Sequence, residues 1–139
     1  MKPSTTLLFA AFLGGTAIVL GALGAHALKP ILDPGQIESY LTAVRYQLFS
    51  AFFLLFLGIT RSFWPELRLG AVAMLALLGG MLFSFSIYIL LILKVNDISG
   101  TSIVGPITPI GGLLMISAWV LLFIELWKKG GIFDSTSHK

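Results

Sequence analysis

The chain contains no cysteine. Disulfides, thiolate metal sites and cysteine nucleophiles are therefore excluded, and redox compartment leaves no trace in the sequence. Charge is scarce too. Asp, Glu, Lys and Arg make up 11% of the 139 residues, about half the ~25% of a soluble domain. Only six carboxylates and two histidines are present. No Ser/His/Asp set, paired buried carboxylates, phosphate loop or dinucleotide fingerprint can be assembled from them. The expectation is a non-enzyme with no cofactor. The net charge of +3 comes from a few Lys and Arg at the ends of apolar runs. That is a topology signal rather than a nucleic-acid footprint.

What the chain has in abundance is apolar length. Apolar residues account for 57% of it and fall into four runs, roughly 5–28, 41–60, 69–93 and 109–127. A helix crosses a ~30 Å hydrocarbon core with about 20 apolar residues. The expected fold is all-α: an integral membrane four-helix bundle with short loops. It is one domain over 1–139, with 130–139 as a flexible tail. Its first partner is the bilayer. Met1-Lys2 ahead of a long apolar run, with Ala25-His26-Ala27 beyond it, imitates a cleavable signal peptide. The run exceeds the ~7–15 residues of a signal core, so a retained first helix is expected.

Helix starts are legible. Asp33-Pro34-Gly35-Gln36 places a capping Asp before a Pro, with Gln three residues on. A helix from Pro34 to Thr60 would measure about 40 Å, so its first two turns should lie among headgroups. Thr108-Pro109 predicts a similar start for the fourth span. Trp127, Lys128 and Lys129 mark its interfacial end, and Glu125 beside the lysines reads as a helix-end ion pair. Four crossings put both ends of the chain on one side. That side carries Lys2, Arg61, Arg68, Lys128, Lys129 and Lys139, against Lys29, Arg45 and Lys94 opposite. The excess predicts termini in the cytoplasm of a bacterial inner membrane.

Small residues recur at every fourth position. Ala17, Gly21 and Ala25 form one ridge; Ala76, Gly80 and Ser84 form another. Such ridges let helix backbones approach closely in lipid. They serve either packing within one bundle or association between copies.

Polar residues inside the spans gather on one side of the membrane. His26 ends the first span; Thr42, Arg45, Tyr46, Gln47 and Ser50 occupy the outer half of the second. Ser84, Ser86 and Tyr88 lie in the outer half of the third, and Thr108 begins the fourth from the same side. Lipid-exposed polar groups at depth are costly, so this half should face inward. Thr42, Tyr46 and Ser50 share one helical face. Two readings stand: a hydroxyl-lined niche open to the outer surface, around His26, Arg45, Tyr46, Tyr88 and Thr108, or hydroxyls that bond backbone carbonyls and join helices. Arg45 is either functional or snorkels to the headgroups. His26 is either a proton or metal group or a helix-end cap; without a second intramembrane His a metal site lacks ligands. Gly111 and Gly112, in the first turn of the fourth helix, offer either free amides to an anion or close packing.

Four segments carry a resemblance: Leu20-Gly-Ala-Leu-Gly-Ala-His-Ala-Leu-Lys29, Thr42-Ala-Val-Arg-Tyr-Gln47, Leu82-Phe-Ser-Phe-Ser-Ile-Tyr88 and Thr108-Pro-Ile-Gly-Gly112. In this order they resemble the small inner-membrane proteins of the YgdD/YwdK type, a domain-of-unknown-function family with a mitochondrial relative in animals. The resemblance implies a four-span inner-membrane protein and no activity. The chain departs from that family at Ser50, where His is usual, and at Phe85, where Gly is usual. Loss of the second His weakens a metal or haem site, and Phe85 would crowd a close helix approach. Two functions follow from the residues. One is an accessory or scaffold subunit packing against other membrane proteins or a second copy. The other is binding or transport of a small molecule, lipid or ion through the outer polar niche.

Overall fold

The first helix, α1 (Pro3–His26), opens on a proline, whose missing N–H costs nothing at that position. The second, α2 (Pro34–Phe63), starts with the expected capping box. Asp33 accepts from the Gln36 backbone at 2.9 Å, and the Gln36 side chain accepts from the Asp33 backbone at 3.0 Å. Its 30 residues extend about 45 Å, well beyond the hydrocarbon core. The third, α3 (Leu69–Val95), ends at Asn96. The chain then turns through Asp97 (φ 51°) and Gly100 (φ 132°), where glycine escapes the Cβ penalty. A single turn, α4 (Thr101–Val104), leads into α5 (Ile107–Lys128). This computed structural model describes residues 1–129, so the expected tail at 130–139 lies outside the described residues. Among the described residues there is no strand. Among the same residues four helices are long and apolar enough to cross a membrane, α4 and α5 together forming the fourth.

The four spans form an open row rather than a closed ring. α1 packs on α2, α2 on α3, and α3 on α5. No Cα of α5 comes within 8 Å of α1 or α2. The central pair is consequently the most enclosed. Half of the apolar stretch of α2 is buried within the protein, against 17% for the fourth span. An apolar core fills the half nearer the termini. Leu13, Leu54, Leu57, Val72, Leu77 and Leu122 meet there, all nearly inaccessible. Loops clamp the same end. Arg68 N donates to Glu125 Oε1 at 2.7 Å, tying α5 to the α2–α3 loop, and the Arg61 guanidinium donates to Met1 O. Glu125 therefore pairs with the Arg68 backbone and not, as expected, with Lys128 and Lys129.

Glycines set how closely neighbours approach. A Cβ on Gly80 of α3 would fall 2.6 Å from Ser50 Cβ on α2. A Cβ on Gly111 of α5 would fall 2.9 Å from Gly79 O of α3 and collide with Phe83 N. Ala76, Gly80 and Ser84 are all buried, so that ridge faces the protein. The α1 ridge needs correction. Ala17 is buried and Gly21 faces Val44, but Ala25 is exposed. Gly24 takes its place, seated against the Tyr40 ring. Seven residues from Ala17 return to nearly the same face, within about 20°, whereas eight residues overshoot by about 80°.

The start of α5 also differs from the expectation. Pro106, rather than Thr108, is the capping residue, and no side chain caps the helix. Thr108 lies within α5 and bonds elsewhere.

Candidate functional site

The interior of the outer half is organised by one amide. Gln47 of α2 is 1% exposed. Its Nε2 donates to Leu13 O at 3.1 Å and to Thr16 Oγ1 at 2.8 Å, both on α1. Its Oε1 accepts from the Tyr88 hydroxyl of α3 at 3.0 Å. Both amide donors and one acceptor pair are thereby used, and three helices are joined through one side chain. Beside it, the Tyr40 hydroxyl donates to Leu20 O at 2.8 Å, and its ring lies 5.4 Å from that of Tyr88. One turn nearer the termini on α3, Ser84 Oγ donates to Ala43 O at 2.9 Å. Ser86 and Thr108 share a hydroxyl–hydroxyl bond of 2.7 Å that joins α3 to α5. Among the described residues no buried side-chain nitrogen or oxygen lacks a partner.

Other residues of the expected niche stand outside this network. Arg45 is exposed, and its Nε donates to Leu41 O at 3.3 Å on its own helix. Tyr46 is 40% exposed, its ring on Phe83 at 4.7 Å and near Phe49 at 6.0 Å. His26 is exposed at the last turn of α1. Ser50 bonds back to Tyr46 O and Thr42 to Glu38 O, both within α2. Gly111 is buried against α3, and Gly112 lies 3.8 Å from the Phe83 ring measured from its would-be Cβ. His26, Arg45, Tyr46, Tyr88 and Thr108 thus do not gather around one site. At 100° per residue, Gln47 pointing inward turns Arg45 about 200° away and Tyr46 about 100° away. Thr16 was missed from the sequence; its signal is a lone hydroxyl in the middle of an otherwise apolar helix. Tyr40, at the margin of the second apolar run, was missed too.

A second polar place lies at the outer end of the α2–α3–α5 side. A cleft of about 410 Å³ is lined by Glu38, Ser39 and Thr42 of α2, Lys94 and Leu91 of α3, and Thr108 of α5. Glu38 and Lys94 are exposed and bring one charge of each sign to it. Below it, toward the termini, an aromatic trough of about 590 Å³ runs between α2 and α5, past Phe49, Phe53, Phe56 and Trp119. Phe53 and Trp119 stack across it at 4.1 Å and 9°. The opposite side of the row, between α1 and α3, carries two grooves of about 490 and 510 Å³ with almost wholly apolar walls. Among the described residues no group of three or more His, Asp or Glu could hold a metal ion.

Long apolar helices whose deep polar groups are matched to one another define a multi-pass α-helical membrane protein. The chain belongs to the family described as a protein of unknown function (DUF423), which matches residues 20–112. That stretch holds all four segments of the resemblance. The chain is similar to UPF0382 membrane protein YwdK of Bacillus subtilis, 32% identical over 115 residues, covering 81% of this chain and 87% of the relative. It is also similar to UPF0382 inner membrane protein YgdD of Escherichia coli, 29% identical over 134 residues, covering 89% and 92%. A UPF0382 membrane protein of Staphylococcus haemolyticus is 35% identical over 108 residues, covering 78% and 83%. No solved structure matches the chain.

Proposed function

We propose that this protein is a non-enzymatic accessory subunit of a bacterial inner membrane, with cytoplasmic termini, that packs against other membrane proteins. The observation that carries the reading is the internal pairing of the deep polar groups. Gln47, Thr16, Tyr88, Tyr40, Ser84, Ser86 and Thr108 spend their hydrogen bonds on each other and on backbone carbonyls. A transport path or buried reaction centre uses polar groups that are free to meet a substrate. What the row leaves free is lateral surface. α1 and α5 each have one flank against the protein and the rest facing outward. The name of the Escherichia coli relative, an inner membrane protein, supports the location. The excess of Lys and Arg on the terminal side supports the orientation.

Gly15 provides the test. A Cβ added there meets nothing within 4 Å, and the residue lines the groove beside Gln47 and Phe85. Gly15→Leu should therefore not lower the melting temperature of the isolated protein, and leucine's better helix propensity should raise it slightly. In mild-detergent extracts of native membranes it should shift the protein from a complex larger than its own 15.0 kDa to the free form. If wild-type protein extracted in this way migrates only as the free form, the accessory role is wrong.

A further inference from the structure

The open row leaves a seam between α2 and α5, and the seam changes character along its length. At its outer end sit a carboxylate, Glu38, and an ammonium, Lys94, with the hydroxyls of Thr42 and Thr108 between hydrophobic walls. One turn further along α2, at Tyr46, begins the trough, which continues past Phe49, Phe53, Phe56 and Trp119. Residues 38, 42, 49, 53 and 56 repeat at helical spacing, so cleft and trough lie on one face of α2. The polar end is the end of the spans, at headgroup depth; the trough lies at acyl depth.

We propose that this seam binds one zwitterionic ethanolamine phospholipid. The headgroup occupies the outer cleft, with its ammonium at Glu38 and its phosphate at Lys94. One acyl chain runs down the trough against the Phe53–Trp119 stack. The pair of opposite charges selects the headgroup. An anionic phosphoglycerol would satisfy Lys94 but bring only an uncharged glycerol to Glu38, leaving the carboxylate without a cation beside a net negative headgroup. A partner helix would cover both charges with apolar side chains and desolvate them unpaired. A water-soluble ligand would use the cleft and leave the trough unexplained. The two α1–α3 grooves lack a comparable charged mouth and offer no site for this headgroup. The site lies on the face away from Gly15 and stands independently of the accessory role.

Native mass spectrometry of the full-length protein in mild detergent tests it, with phosphatidylethanolamine and phosphatidylglycerol of identical acyl chains titrated in competition. The expected result is one phosphatidylethanolamine per chain, preferred at least tenfold. Glu38→Gln should erase the preference, bringing the two lipids to parity, and Lys94→Gln should weaken both at least tenfold. Both positions are exposed, so folding should survive, as an unchanged melting temperature in detergent verifies. Should a variant not fold, the competition on the wild-type protein decides alone. Equal binding of the two lipids by wild-type protein, preference for the anionic lipid, binding without one-to-one stoichiometry, or an unchanged preference in Glu38→Gln would each overturn the proposal.

Discussion

Replacing Gly80 by alanine adds a single carbon at the closest approach of α2 and α3. That carbon would sit 2.6 Å from Ser50 Cβ and against Ser50 Oγ. The hydroxyl can rotate away by giving up its bond to Tyr46 O at 2.8 Å. The Cβ cannot, because it is fixed to the α2 backbone, so the helices must part. Overpacking of this kind costs about 1–3 kcal/mol. Alanine's better helix propensity returns about 0.8–1 kcal/mol, on a scale measured in water. The net loss should be roughly 0–2 kcal/mol, and Gly80→Leu should lose more. Ser50→Gly removes both opposing atoms. Alone it should destabilise by about 0.5 kcal/mol through propensity. Combined with Gly80→Ala it should restore part of the loss, a coupling of about 1 kcal/mol between touching residues. Unfolding of the four proteins in mixed micelles, followed by circular dichroism against added SDS, measures the cycle. A neutral Gly80→Leu, or strictly additive effects in the cycle, would mean that the backbones do not meet there.

Two further outcomes follow from the same geometry. Gln47→Leu removes three interhelical hydrogen bonds yet keeps bulk; at about 0.6 kcal/mol for an average bond within a membrane, the loss should be roughly 2 kcal/mol in the same unfolding assay. A larger loss than that of Gly80→Leu would make the amide, not close packing, the main tie. Reporter fusions placed after Lys139 should report a cytoplasmic C-terminus, and a periplasmic signal would reverse the orientation inferred from Lys and Arg.

The four helices were legible because membrane-spanning length and apolarity are properties of single segments. The Asp33 capping box was legible for the same reason: all its parts lie within four residues. What escaped depends on rotation and on neighbours. The sequence places Arg45, Tyr46 and Gln47 at one depth, but only the packing direction of α2 decides that Gln47 points in and Arg45 out. Thr16 looks idle until Gln47, 31 residues away, is laid against it. Ala25 and Gly24 are both small, and only the helix crossing decides which one faces Tyr40. The Glu38–Lys94 cleft was not legible either, since its charges lie on different helices and belong to no motif. It exists because the row stays open between α2 and α5.

The order of that row is the central structural claim, and thiol cross-linking tests it most directly, because a chain without cysteine carries only the pairs introduced. Cysteine pairs at Gly21 and Val44, at Ala43 and Ser84, and at Phe83 and Gly112 should each cross-link within one chain in native membranes. They report α1 beside α2, α2 beside α3, and α3 beside α5. A pair at Phe12 and Trp119 should not cross-link within one chain. Efficient intrachain linkage of Phe12 to Trp119 would close the row into a ring, and with it eliminate the open seam.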